Sequence, residues 1–287
     1  MTPPPDTGAA ALAAEHPCYT ETARLHHGRV HLAVAPRCNL GCRYCERVVG
    51  AKADSAAGPG TAARVLTPAE AVARVDEVHA KGWLRVVGIA GPGEPLANPA
   101  TLETLRLIHE AHPDLLLCLS TNGLNLESAL PELLDAGVDS LTVTINTTHP
   151  ETAARLYDWA VIGGDRFVGP SAAPEVLARQ WRGLAAAVRA GLLVKVNSVL
   201  IPRITDTDVE TVALRAGAIG AHRHNIMPLI PRGRMRDRRA PTPDELEQAR
   251  NQCERWLSQF RACTQCRADA IVPPLGAKGH VPCGACG

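Results

Sequence analysis

Six short apolar runs recur along the chain, at 30–35, 84–90, 115–120, 140–145, 193–200 and 224–229. Each is followed by a loop and then by a stretch with apolar residues at helical spacing. Runs that are apolar nearly throughout suit strands buried on both faces, as in a parallel sheet covered by helices. Thr67-Pro68-Ala69-Glu70 sets a capping Thr, a first-turn Pro and a Glu three residues on, which predicts a helix start. Thr242-Pro243-Asp244-Glu245 repeats the device and predicts a helix running to about Arg261. Gly82, Gly137 and Gly191 fall where helices should end. Alternating βα units predict an α/β fold, and six of them favour a partial (β/α)6 TIM-type barrel over a closed eight-stranded one. The predicted organisation is a flexible leader at 1–17, a barrel at 18–230, and an extension at 231–287. That extension comprises an Arg-rich loop, a helix and a Cys-rich tail.

Composition narrows the function. With 287 residues and 46% hydrophobic content the chain can bury a large core. Lys and Arg number 30 and Asp and Glu 29, so there is no global charge footprint for nucleic acid or an anionic membrane. No run of about 18 apolar residues predicts a membrane span. The Pro/Ala-rich start lacks the basic and apolar regions of a signal peptide. A soluble cytoplasmic monomer is the expectation.

Cysteine is the outlier, with ten in all. They cluster at 38/42/45, 263/266 and 283/286, and in a reducing compartment such spacing points to metal ligation rather than disulfides. Cys38, Cys42 and Cys45 sit just after the first predicted strand. Three thiolates on one loop can hold three irons of a [4Fe–4S] cluster and leave the fourth open to nitrogen and oxygen donors. A structural zinc site is the alternative, although zinc usually takes two paired knuckles and four ligands.

The C-x3-C-x2-C spacing, with Tyr44 before the last Cys, resembles the radical S-adenosylmethionine (SAM) enzymes. The resemblance implies a [4Fe–4S] cluster on Cys38, Cys42 and Cys45, with SAM bound to it as cosubstrate. Gly91-Pro92-Gly93-Glu94-Pro95 resembles the segment that receives the SAM amino group, which implicates Gly91, Gly93 and Glu94. By the same resemblance Ser120, Thr121, Asn122, Asn146, Asn197, Ser198 and Met227 contact SAM from the strand ends, where barrel folds place their sites. From the residues alone, the glycine segment is equally an ordinary turn and each polar residue a turn residue. Tyr44 and Trp83 read as packing residues.

Longer runs resemble the NifB family of nitrogenase-cofactor biosynthesis proteins. They are His16-Pro17-Cys18-Tyr19 and the stretches 29–36, 88–99, 117–123, 195–199, 224–230 and 263–270, within a resemblance covering about 15–272. This likeness implies one or two additional [4Fe–4S] clusters, ligated by Cys18, His31, Cys118, Cys263 and Cys266. It implies methyl transfer from one SAM and reductive cleavage of another. Carbon insertion and cluster fusion then give an iron–sulfur–carbide precursor of the nitrogenase cofactor. It also implies cluster-donor and cofactor-carrier partners and an electron donor such as ferredoxin or flavodoxin. Taken singly, His31 reads as a satisfied core histidine and Cys118 as a buried apolar-like residue.

There are departures. The family places a further cysteine five or six residues after the third motif cysteine, where this chain has Gly50 and Ala51. The Ala/Gly-rich segment 51–63 reads as disordered. Cys283 and Cys286 either replace the lost ligand or form an idle pair. Arg232, Arg234, Arg236, Arg238 and Arg239 make a solvated loop or a docking patch for an acidic carrier. Two other functions stay open: a radical SAM enzyme acting on a different substrate, and a non-catalytic iron–sulfur scaffold.

Overall fold

The computed structural model describes residues 7–53 and 58–277. Six strands run parallel and lie side by side in chain order: β1 Gly28–His31, β2 Leu84–Ile89, β3 Leu116–Thr121, β4 Val138–Thr144, β5 Leu193–Leu200 and β6 Arg223–Pro228. A seventh strand, β7 Ile271–Val272, pairs antiparallel with β1, so the C-terminal extension joins the barrel's own sheet. The sheet is open, with β6 at one edge and β7 at the other. This is the expected partial barrel.

Among the described residues, seven helices of nine or more residues pack with it: α1 Thr7–Glu15, α2 Pro68–His79, α3 Pro99–Ala111, α4 Leu126–Asp135, α5 Ala173–Arg189, α6 Val209–Ile219 and α7 Pro243–Glu254. Both predicted capping boxes form, at Thr67 with Glu70 and at Thr242 with Glu245. Gly82, Gly137 and Gly191 take φ of 75°, 73° and 81°. That left-handed backbone is strained for other residues and routine for glycine. The core lies between strands and helices: Leu117, Leu119, Leu141, Val194 and Val196 pack with Leu105, Leu133, Val176 and Leu184. Truncating a fully buried residue such as Leu119 to Ala would cost roughly 2–5 kcal/mol.

Four local expectations change. The first run forms a strand only over Gly28–His31. Beyond it Ala35 bridges to Pro92, and the chain turns toward the cysteine loop. The leader contains α1, whose Ala9 is buried with Tyr19 and Leu193. Glu15 at its end accepts from Arg85 Nε at 2.6 Å. The last helix stops at Glu254, short of Arg261. There the backbone is drawn to the open edge of β6: His224 N donates to Ser258 O at 2.9 Å and Phe260 N to His224 O at 2.7 Å. Within 51–63, Ala51–Ala53 forms a 3-10 turn and Thr61–Ala62 pairs with Val48–Val49. Cys283 and Cys286 lie outside the described residues. Among the described residues no helix is long and apolar enough to cross a membrane.

Candidate active site

A cavity of about 720 Å³ fills the barrel lumen and its mouth. At the mouth stands the loop carrying Cys38, Cys42 and Cys45, all of which line the cavity. An unpredicted antiparallel sheet holds this loop: Leu40–Cys42 pairs with Tyr157–Ile162, which pairs in turn with Asp165–Val168. Arg43 N donates to Leu156 O at 2.9 Å, and Arg43 Nε pairs with Asp158 at 2.7 Å. Cys42 is half-buried, and desolvation pushes its thiol well above the usual range, with the neighbouring Cys45 and Cys38 adding to the effect. Burial likewise raises Cys38. Thiols that resist ionisation alone give up their protons to a bound metal, so this donor set fits a metal centre.

The geometry bears on which metal centre. Thiolates on a single zinc ion, at about 2.3 Å from it, must lie close together. Among the described residues only His79, His112 and Asp114 bring three ligand atoms within 4.8 Å of one another. The three loop sulfurs are not all within 4.8 Å of one another.

Around the mouth, Gly93, Glu94, Ser120, Thr121, Asn122, Asn197 and Met227 line the cavity. Glu94 is buried and its carboxyl is raised to about 7 by that burial, although three donors hold it. They are Thr121 Oγ1 at 2.6 Å, Asn122 N at 2.7 Å and Leu96 N at 3.1 Å. Asn122 Nδ2 donates to Asn39 Oδ1 at 2.7 Å, which ties the end of β3 to the cysteine loop. A Cβ at Gly93 would fall onto the Arg37 carbonyl, so glycine here lets the loop before Cys38 pack closely.

Three expected contacts lie elsewhere. Gly91 does not line the cavity; its carbonyl accepts from Ala35 N at 3.3 Å. Asn146 is wholly buried, accepting from Val199 N at 2.8 Å and donating to Tyr44 Oη at 2.8 Å. Ser198 faces the opposite side of β5, within 2.9 Å of His224 Nε2. Adjacent strand residues point to opposite faces, so Asn197 and Ser198 cannot both enter the lumen.

Deeper in the lumen, Cys18, His31, Cys118, Cys263 and Cys266 line the same cavity, although they come from distant parts of the chain. Register aligns them: His31 is level with Gly88, and Gly88 with Cys118. A Cβ on Gly88 would sit 3.1 Å from His31 Cδ2, so glycine leaves room for the imidazole. Burial and nearby Arg29 push His31 down to about 4, which keeps it neutral and able to ligate a metal. Burial raises the Cys18 thiol, but Arg29, Lys195 and Arg24 outweigh it and bring Cys18 below the ordinary thiol value. Sequence reasoning missed Arg29 and Lys195. Arg29 had a signal, since it lies two residues before His31 and so shares its strand face.

The radical SAM superfamily model matches residues 32–216. The FeMo cofactor biosynthesis protein NifB of Klebsiella pneumoniae is 47% identical over 270 residues, covering 91% of this chain and 57% of that protein. The NifB of Methanocaldococcus infernus is 39% identical over 257 residues, covering 89% of this chain and 84% of that protein. The chain belongs to the NifB family of radical SAM proteins. Its barrel superposes on the SAM-bound structure of Streptococcus suis SuiB with a TM-score of 0.56 at 14% identity, over 79% of this chain and 47% of SuiB, which is a likeness of fold. The chain spans only about half the length of several curated relatives, at 57%, 55% and 52% of the first three. Family membership implies a [4Fe–4S] cluster and SAM, and the mouth of the cavity has the donors for both.

Proposed function

We propose that the protein is a radical SAM enzyme that assembles an iron–sulfur–carbide precursor of the nitrogenase cofactor from two smaller clusters. Cys38, Cys42 and Cys45 hold the SAM-binding cluster. Asn122, Ser120, Thr121, Asn197 and Met227 frame the cosubstrate, and Glu94 braces the end of β3 against the cysteine loop. Cys18, His31, Cys118, Cys263 and Cys266 receive the substrate clusters. A bound cluster and SAM would supply reductive cleavage to methionine and a 5′-deoxyadenosyl radical, with one electron from the external donor, while a second SAM would supply a methyl carbon. The chain's own part is placement: it holds the reacting groups in one lumen.

The observation that carries this reading is the convergence of the deep cysteines and His31 on the cavity that the motif cysteines already line. A one-cluster enzyme has no use for the deeper set. The test uses anaerobically reconstituted protein, dithionite and SAM labelled at the methyl carbon. S-adenosylhomocysteine and 5′-deoxyadenosine should appear together, with label in an acid-labile iron–sulfur species. Cluster-donor and carrier proteins and a ferredoxin- or flavodoxin-type donor would be the partners of such a cycle.

One observation favours a second reading, in which the deep clusters are auxiliary centres for another substrate. Gly50 and Ala51 stand where the family has a further cysteine, and neither lines the cavity. That reading predicts 5′-deoxyadenosine without S-adenosylhomocysteine.

A further inference from the structure

We propose that Arg29 and Lys195 form a cation pair at the deep end of the lumen that compensates the negative charge of an iron–sulfur cluster bound there. The inference rests on the reading that the deep cysteines hold a cluster. Both side chains line the cavity, and each residue is only 5% exposed. Arg29 Nη2 donates to Cys266 Sγ at 3.1 Å, and its Nε has no hydrogen-bond partner. Lys195 Nζ donates to the Cys18 carbonyl at 3.2 Å and lies 5.2 Å from the Tyr19 ring centre and 5.3 Å from that of Phe260.

Among the described residues neither cation pairs with a carboxylate. The acids lining the cavity are Glu46, Glu94 and Asp158. Glu94 is held by Thr121, Asn122 and Leu96, and Asp158 by Arg43 and Arg234. Two like charges buried without a carboxylate counter-ion oppose folding. A fold that keeps both is completed by an anion. The surroundings identify its class, because Cys18, Cys118, Cys263 and Cys266 are soft thiol donors and His31 an imidazole donor, a set that binds iron and that a carboxylate or phosphate ligand would not need. A thiolate-ligated iron–sulfur cube carries net negative charge and accepts N–H hydrogen bonds at its sulfurs. Donors and positive charge at that position raise its reduction potential and strengthen its retention.

The test has two arms. In the first, the triple Cys38/Cys42/Cys45→Ala variant is reconstituted anaerobically, so that any iron sits in the deep site. Adding Lys195→Met or Arg29→Met should cut iron and acid-labile sulfide retained after desalting at least threefold. Each should also lower the midpoint potential of what remains, while Lys195→Arg and Arg29→Lys restore both. In the second arm, the otherwise unmutated chain is studied free of iron. There Lys195→Met should raise the melting temperature, because an uncompensated buried charge has gone. Equal iron and equal potential in the Met variants overturn the cation pair but leave the cluster reading standing. A triple variant that keeps no iron overturns the cluster reading and the pair with it. A lowered melting temperature in iron-free Lys195→Met also overturns the pair.

Discussion

His31 Nδ1 lies 3.0 Å from the carbonyl oxygen of Arg267, so the chain's C-terminal segment fixes the imidazole donated by β1. A proton on Nδ1 is committed to that carbonyl, which leaves the Nε2 lone pair for the cavity. This is the arrangement by which outer groups orient a metal-binding histidine. The Arg267 side chain is anchored as well, with Nε 2.8 Å from Asp269 Oδ1.

Gly88→Ala tests this relationship without touching a donor atom. The added methyl would press on His31 Cδ2 from 3.1 Å and tilt the ring. Iron per chain after reconstitution should fall to the level of His31→Ala. Full iron content in Gly88→Ala would show that ring placement does not matter.

Cys42→Ala removes the half-buried thiol of the motif loop that lies at the Tyr157 pairing and beside the Tyr44 side chain. Formation of 5′-deoxyadenosine under dithionite should drop at least a hundredfold. Chromatographic quantitation of that product against time decides it, and turnover at the unmutated rate would remove the motif from the chemistry.

Glu94 gives a pH signature in the iron-free protein. Its carboxyl is raised by burial from an ordinary 4.5 to about 7. Between those values the native state holds a proton that the unfolded chain has released. Stability therefore falls as pH rises through that window, by up to about 3 kcal/mol. Glu94→Gln should flatten the slope between about pH 5 and about pH 8 in urea titrations. Parallel slopes in the two proteins would contradict the buried carboxyl.

Ala51→Cys restores the ligand type that the family carries near this position. Ala51 is exposed at the start of a short turn, whereas Gly50 takes φ of 89° and would strain under a side chain. Iron per chain and S-adenosylhomocysteine should both rise in Ala51→Cys but not in Gly50→Cys. If neither rises, the auxiliary-centre reading gains.

Much of the barrel was legible because its signals are local. A strand buried on both faces reads as an apolar run, a capped helix announces itself at Thr67 or Thr242, and three cysteines on one loop need no tertiary information to suggest a cluster. What sequence could not show is which face of each strand looks inward. An all-apolar strand lacks the alternation that marks a face, so Asn197 and Ser198 read alike until the sheet turned one into the lumen and the other toward His224. The same holds for the end of the last helix, where the exposed edge of β6 captured a backbone whose residues continue the helical pattern. Arg29, His31, Cys118, Lys195 and Cys266 are spread from the first strand to the tail. Only strand register and the return of β7 to β1 bring their charges and donor atoms into one cavity.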